Sequence, residues 1–314
     1  MPRLSAPNCV DRRGPFNYGA AVPPPLLKLG LPKGSLEEAT VDLFRRAGFE
    51  IEVRSRSYFP TIDDPTLECV LFRAQELAAY TADGIVDCAI TGHDWIKESG
   101  ADVHEVNELQ YSKSTSRPAR WVLAVPAESD IQTPEQLAGG IVATELVSVT
   151  RQYFEQRGID VRVEFSWGAT EVKARLLNAI VELTETGSSL KANNLRILDE
   201  VLISTTRLIA SHEAWADPAK RQKIEAIDTL LQGAITARTK VGLKLNAPRA
   251  SLDAVMTVIG SFGEHSPTIS TLTDEGWVAL EVILDERIER DMIPELLRAG
   301  ASGLVSYPLN KVIS

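Results

Sequence analysis

Cysteine and histidine are scarce in this chain. Its 314 residues hold three cysteines (Cys9, Cys69, Cys88) and four histidines (His93, His104, His212, His265), all dispersed. Three scattered thiols give neither a disulfide framework nor the paired spacing of a cysteine-ligated metal, and no H-x-x-x-H pair offers a histidine centre. An unbroken apolar run of roughly 18 residues, the length a membrane span requires, is missing as well. Positive charge is in deficit, with 33 Lys and Arg against 43 Asp and Glu and a formal charge of −10. That excludes a broad basic face for nucleic acid, so any anion site has to be local. These absences fit a reducing, cytoplasmic setting with no nucleic-acid or membrane partner.

What is present is core-forming material, 44% hydrophobic and 24% charged residues, in a chain long enough for two or three modules. Residues 1–25 stand apart. They hold six of the 17 prolines, ending in Pro23, Pro24 and Pro25, and show no sustained period, which predicts a flexible leader. Beyond it strand and helix alternate. A strand is expected over 26–31, and Ser35 with Glu38 has the spacing of a capping box before a helix closed by Gly48. Strand, helix, strand and helix follow at 69–72, 74–82, 86–91 and from Asp94. A second cycle opens with the apolar strand 121–125, a short helix at 133–137 and a strand at 140–144. It continues with a helix at 148–157 and a strand at 160–165. Two α/β lobes imply a cleft between them.

After Gly233 the order changes to strand 241–247, helix 252–262, strands 268–272 and 277–284, helix 291–299 and strand 303–307. This β-α-β-β-α-β order is ferredoxin-like. It carries no obvious nucleophile or acid–base pair and reads as a binding or assembly domain. The expected division is a leader over 1–25, a first lobe over 26–117 plus 199–232, a second lobe over 118–198 and the ferredoxin-like domain over 233–314.

The most informative stretch runs from Ile180 to Leu190, IVELTETGSSL. An apolar run delivers Glu182, and Thr186-Gly187-Ser188-Ser189 then offers small side chains, backbone N–H groups and hydroxyls that can surround an anion. A phosphorylated sugar needs such donors together with a carboxylate for its ribose hydroxyls. By itself the same stretch also fits an ordinary capped turn.

It does not stand by itself. Leu31-Pro32-Lys33-Gly34-Ser35-Leu36, the run GIVDCAITGHDW from Gly84 to Trp95, Ile141-Val142-Ala143-Thr144-Glu145-Leu146 and Gly168-Ala169-Thr170-Glu171 occur in order around it. With these motifs the chain resembles the ATP phosphoribosyltransferases of histidine biosynthesis from about Leu26 to its C-terminus. The resemblance implies the long form, with two catalytic lobes like those of periplasmic binding proteins and a C-terminal ferredoxin-like domain that binds histidine as an allosteric inhibitor. It also implies homo-oligomers, hexamers or dimers, and Mg²⁺ as cofactor, held mainly by substrate pyrophosphate rather than by protein ligands. In the implied reaction adenine N1 of ATP attacks the anomeric carbon of phosphoribosyl pyrophosphate, giving phosphoribosyl-ATP and pyrophosphate.

Carried over by position, Glu182, Lys33 and Arg73 are the expected catalytic residues. Glu182, Thr184, Glu185, Thr186, Gly187, Ser188 and Ser189 would bind the sugar donor, with Glu182 on the ribose and the last four on its 5′-phosphate. Lys33, Gly34, Arg73, Gly92, Asp94, Glu145 and Glu171 would line the nucleotide side. Thr268, Ser270, Ala301 and Ser302 are expected to contact histidine. Other readings stay open at single positions: Lys33 as a solvated lysine, Arg73 paired with Glu76, Asp94 as a helix N-cap, and His93 as a tolerated loop residue. Glu182 stands where many family members have aspartate, Ser189 where they have threonine, and Asn178 where an acidic residue is usual. The link from Glu171 to Asn178 is also shorter than usual. The rival reading is a two-lobed ligand-binding protein or a regulatory paralogue without catalysis.

Overall fold

The computed structural model describes residues 26–54, 57–111, 118–263 and 267–313. The expected leader over 1–25 and residues 112–117 at the end of the first-lobe span lie outside the described residues. The chain opens with β1 (Leu27–Lys33), whose Leu27, Leu29 and Leu31 are buried, each worth about 1.5–3 kcal/mol of apolar burial. Helix α1 (Glu37–Ala47) follows and stops at Gly48, which is left-handed as a helix-ending glycine should be. The expected capping box does not form. The helix starts at Glu37 with no side-chain cap, and the Glu37 carboxylate instead receives the Gly34 N–H at 3.4 Å.

Two short strands, β2 (Ile51–Glu52) and β3 (Thr61–Ile62), precede β4 (Leu67–Arg73), α2 (Ala74–Ala82), β5 (Cys88–Gly92), α3 (His93–Ser99) and β6 (His104–Leu109). His93 is therefore the first residue of a helix rather than a loop residue. The second cycle comprises β7 (Ala119–Pro126), a 3₁₀ turn at Pro134–Leu137, β8 (Ile141–Thr144), α4 (Val147–Glu155) and β9 (Arg162–Phe165). It closes with α5 (Thr170–Lys173), β10 (Ala179–Thr184), α6 (Ser188–Ala192) and β11 (Leu195–Ser204). The chain then returns through β12 (Thr206–Ala210), α7 (His212–Ala216) and α8 (Pro218–Thr236). Asp217 caps α8 by accepting from the N–H groups of Ala219 and Lys220, and Pro218 sits at its first position, where a missing N–H costs nothing.

The first lobe is a five-stranded sheet in the order β4-β1-β5-β12-β6, and the second is β11-β7-β10-β8-β9. All of β11 pairs with β7, so the return to the first lobe falls after Ser204 and not at 199. The described return crossing thus follows Ser204. At the crossing beside β12 the His93 N–H donates to the Thr205 carbonyl at 2.9 Å, and the Thr206 hydroxyl donates to the Tyr111 carbonyl at 3.2 Å.

The third unit contains β13 (Lys240–Pro248), α9 (Leu252–Ser261), β14 (Thr268–Thr271), β15 (Trp277–Asp285), α10 (Glu286–Arg298) and β16 (Ser302–Pro308). Its sheet order β14-β15-β13-β16 is antiparallel throughout, the ferredoxin-like arrangement. The fold class is the expected one, two α/β lobes and a ferredoxin-like domain. The boundary at 233 moves, because Ile224, Ile227, Leu231 and Ala234 of α8 all pack in the first lobe's core and the helix continues to Thr236. After β16 the chain returns to the first lobe: Lys311 Nζ donates to the Ala47 carbonyl at 2.9 Å and the Val312 N–H to the Gly233 carbonyl at 2.9 Å.

Candidate active site

The cleft between the lobes is a cavity of about 460 Å³. Its first-lobe wall is built by the C-terminal ends of parallel strands, where α/β sheets place their ligands. β1 and β4 pair so that Lys33 stands beside Arg73, which puts two cations at adjacent strand ends on the lining. Neither meets a carboxylate in an ion pair among the described residues. Lys33 Nζ lies over the Tyr58 ring, 3.8 Å from its centroid. The alternative pairing of Arg73 with Glu76 takes a different form, since the Glu76 carboxylate accepts the Arg73 backbone N–H at 3.3 Å and leaves the guanidinium at the cleft.

Asp94 lies on the same wall and is only 4% exposed. The N-cap position of α3 belongs to Gly92, so Asp94 is not a cap. Its Oδ2 accepts the Trp121 indole N–H at 2.7 Å and its Oδ1 the Trp95 N–H at 3.0 Å, while its own N–H donates to Ser204 Oγ at 3.1 Å. Burial raises the Asp94 pKa, and the donors from Trp121, Ser204 and Trp95 oppose the rise. Gly92 is a glycine by necessity, because a Cβ there would lie 2.0 Å from Asp94 Oδ1.

The second-lobe wall carries Glu145, Glu182 and Glu185. Glu182, half-buried on β10, accepts the Leu183 N–H at 3.0 Å. Its pKa is raised, first by burial and then by the negative neighbours Glu171 and Glu145, while a hydrogen bond from Thr170 opposes the rise. The cleft is therefore polarised, with two cations and the buried, Trp121-bonded Asp94 on one wall and three carboxylates on the other.

Thr184, Thr186, Gly187, Ser188, Ser189 and Glu171 fall outside the lining of this cavity. Thr184 ends β10, Thr186 to Ser189 lead from it into α6, and Glu171 lies on α5. Thr184 is buried, and its hydroxyl accepts the Gly187 N–H at 2.8 Å, which makes it a staple of the loop. Gly187 has φ +77°, a conformation costly for any residue with a Cβ, and it occupies the N-cap position of α6. The hydroxyls of Thr186 and Ser188 are 2.9 Å apart, and Ser189 Oγ donates to Glu171 at 2.7 Å. Asn178 Oδ1 accepts the Ile141 N–H at 2.8 Å, so the amide supplies an acceptor that a carboxylate at this position would also supply.

The four expected histidine contacts are not gathered in one place within the chain. Thr268 and Ser270 lie on β14, one edge of the C-terminal sheet, whereas Ser302 opens β16 at the opposite edge. Three strand spacings, roughly 14 Å, separate them. Ala301 is buried in the domain's core. The motifs do not reveal Trp121 and Ser204 on the lining, or Tyr58 behind it against Lys33. A tryptophan in an otherwise aliphatic strand was the available signal, since an indole N–H in a core requires an acceptor. Among the described residues no group of three His, Cys, Asp or Glu side chains is arranged to hold a metal ion, and no helix is long and apolar enough to cross a membrane.

A family described as ATP phosphoribosyltransferase matches residues 73–233, and one described as the HisG C-terminal domain matches 237–311. An ATP phosphoribosyltransferase of Prosthecochloris aestuarii is 57% identical over 289 residues, 92% of this chain and 98% of that protein. One from Solibacter usitatus is 56% identical over 289 residues, 92% and 99% of the two chains. Among solved structures, a chain of the ATP phosphoribosyl transferase (HisG:HisZ) complex from Thermotoga maritima aligns with a TM-score of 0.56 and 28% identity. That alignment covers 66% of this chain and 96% of that one.

Proposed function

The chain belongs to the ATP phosphoribosyltransferase family of histidine biosynthesis, and from that premise we propose how its polarised cleft joins ATP to phosphoribosyl pyrophosphate. The observation that carries the reading is the facing of Lys33 and Arg73, side by side on one wall, with Glu182 on the other. Adenine N1 is already a nucleophile, so the barrier lies in parting pyrophosphate from a ribosyl carbon that gains positive character. Lys33 and Arg73 neutralise polyphosphate oxygens, and Glu182 accepts from the ribose hydroxyls. Holding both reactants at attack distance removes several kcal/mol more of the barrier. No proton needs to be taken by a side chain in this scheme, which agrees with a cleft built from an ion gradient and not from an acid–base pair.

The turn from Thr186 to Ser189 follows Glu185, which lines the cavity, and would hold the 5′-phosphate, with the Ser189 hydroxyl released from Glu171 to reach it. Mg²⁺ would arrive on the donor's pyrophosphate, since the protein offers no cage of its own among the described residues. Glu145 and Glu182 are the carboxylates that would face it. The ion supplies charge neutralisation on the leaving group. Among the described residues none of the C-terminal domain lines the cleft, which supports a role outside the chemistry, and the ligand of that regulatory role would be histidine. A ligand touching both expected pairs would need the sheet edge of a second copy, in keeping with a homo-oligomer, hexamer or dimer. Cytoplasmic location completes the reading. The test is formation of phosphoribosyl-ATP from the two substrates with Mg²⁺, against loss of that product in Glu182→Gln and Arg73→Ala.

A further inference from the structure

One helix of the first lobe carries two carboxylates that reach to the second. Asp94 and Glu98 are four residues apart on α3 and so share a face. Asp94 receives the Trp121 indole N–H, while Glu98 receives two backbone donors, the Ser148 N–H at 2.9 Å and the Val149 N–H at 3.0 Å. Both belong to the first turn of α4, whose N-cap position is the apolar Leu146 with no cap bond of its own. First-turn N–H groups lack intrahelical partners. The opposite lobe supplies their acceptor, so α4 is completed only while the two lobes lie side by side.

The next residue before Leu146 is Glu145, which faces the cleft. The Leu146 N–H donates to Thr144 Oγ1 at 2.9 Å, so the turn presenting Glu145 is tied on both sides, by Thr144 before it and by Glu98 after it. Glu98, Glu145, Gln75, Trp95 and Phe165 also line a smaller cavity of about 310 Å³. Gln75, Trp95 and Glu145 are shared with the main cleft, so the cavity that Glu98 lines adjoins it.

We propose that Glu98 is a positioning residue that holds the lobes at the spacing in which the cleft recognises its nucleotide, acting through the α4 N-terminus and Glu145. The kinetic half of the proposal rests on the transferase reading above. A parted state leaves Glu98 and the two N–H groups to water, and the apparent affinity for a ligand touching both walls falls with the fraction of molecules still closed. Once both substrates are bound their own contacts hold the lobes, so the saturated rate is retained.

Glu98→Ala is therefore expected to raise the KM for ATP about tenfold with kcat within about twofold, as a reduced closed fraction requires. Glu98→Gln, which keeps one acceptor oxygen, should fall between. A substitution that only lowered the folded fraction would do the reverse, reducing apparent kcat at unchanged KM. A second readout needs no turnover. Spin labels at Asp83→Cys in the first lobe and Gln156→Cys in the second, with Cys9→Ser, should show a narrow distance distribution in the ligand-free protein that broadens when Glu98→Ala is added. An unchanged KM for ATP, a loss confined to kcat, or an unchanged distance distribution overturns the proposal. If the unsubstituted protein makes no product, the transferase reading falls and the distance distributions alone decide whether Glu98 holds the lobes.

Discussion

Trp121 donates its indole N–H to Asp94 at 2.7 Å, joining the first strand of the second lobe to the third helix of the first. Both partners are almost wholly shielded, with Trp121 2% and Asp94 4% exposed. A donor lost to a buried carboxylate costs about 1–3 kcal/mol, so Trp121→Phe should lower the unfolding free energy by at least that amount. The loss depends on pH. Because the native Asp94 pKa is raised above the ordinary 3.8, the native state binds this proton more readily than the unfolded chain does. Its contribution to stability is present at low pH and declines as pH rises from 3.8 through the raised native value. Removing the indole withdraws support from the ionised form, so urea titrations should show a larger deficit near neutral pH than on the acid side. Equal deficits at both would contradict the role given to the indole N–H.

Glu182→Gln keeps the size of the side chain and removes its charge, which forfeits charge-assisted hydrogen bonds worth roughly 1.5–3 kcal/mol. Turnover should fall at least tenfold while thermal stability holds or improves, since a desolvated charge disappears. Steady-state constants for phosphoribosyl pyrophosphate equal to those of the unsubstituted protein would remove Glu182 from the site.

The same residue sets an acid limb. Glu182 has to be ionised to accept from ribose hydroxyls, and burial with Glu171 and Glu145 nearby holds its pKa above the ordinary 4.5. Activity should therefore fall, as pH is lowered, in a window above 4.5, and Glu145→Gln should shift that limb downward by removing a negative neighbour. A pH profile of kcat/KM measures it, and a limb unmoved by Glu145→Gln would separate the two carboxylates.

Most elements were legible because their periodicity is clean: 74–82 matches α2 at both ends, and the alternation over 277–284 matches β15 to within one residue. The exceptions have physical causes. The Ser35 and Glu38 spacing suits a capping box, but the turn from Gly34 to Leu36 displaces the helix start to Glu37, and a carboxylate one position earlier takes the free N–H. The span 199–232 conceals β11, because a strand's sheet membership is decided by its pairing partner and not by its own sequence. The motifs single out Lys33, Arg73, Asp94 and Glu182, which all line the cleft, but not what restrains them. The Asp94 to Trp121 bond and the Tyr58 ring over Lys33 join residues 27 and 25 positions apart, and no local pattern reports such contacts.

Gly187→Val addresses the phosphate turn. A Cβ at Gly187 has room, its nearest contact being Ile197 at 3.8 Å, so the penalty comes from φ +77°. A left-handed conformation costs an L-residue roughly 1–2 kcal/mol and a β-branched one more. The turn should rearrange, with donor binding lost in calorimetry and solubility kept. Normal binding of phosphoribosyl pyrophosphate would show that the turn does not hold its phosphate.

A chain ending after Thr239 keeps the whole of α8 and removes the ferredoxin-like domain, whereas one ending after Gly233 cuts α8 within its last turn and strips Ala234 from the first lobe's core. The first should be the better folded of the two by circular dichroism. It should also fail to bind histidine in calorimetry. Histidine binding that survives in it would move the regulatory site into the catalytic lobes.

The central claim is that the polarised cleft transfers a phosphoribosyl group to ATP, and the most direct measurement is pyrophosphate release by the full chain given ATP, phosphoribosyl pyrophosphate and Mg²⁺. Release that requires both substrates, yields phosphoribosyl-ATP in equal amount and collapses in Arg73→Ala is the predicted result. Tight binding of either substrate with no pyrophosphate formed by the folded, unsubstituted protein would contradict it and leave a two-lobed binding protein in its place.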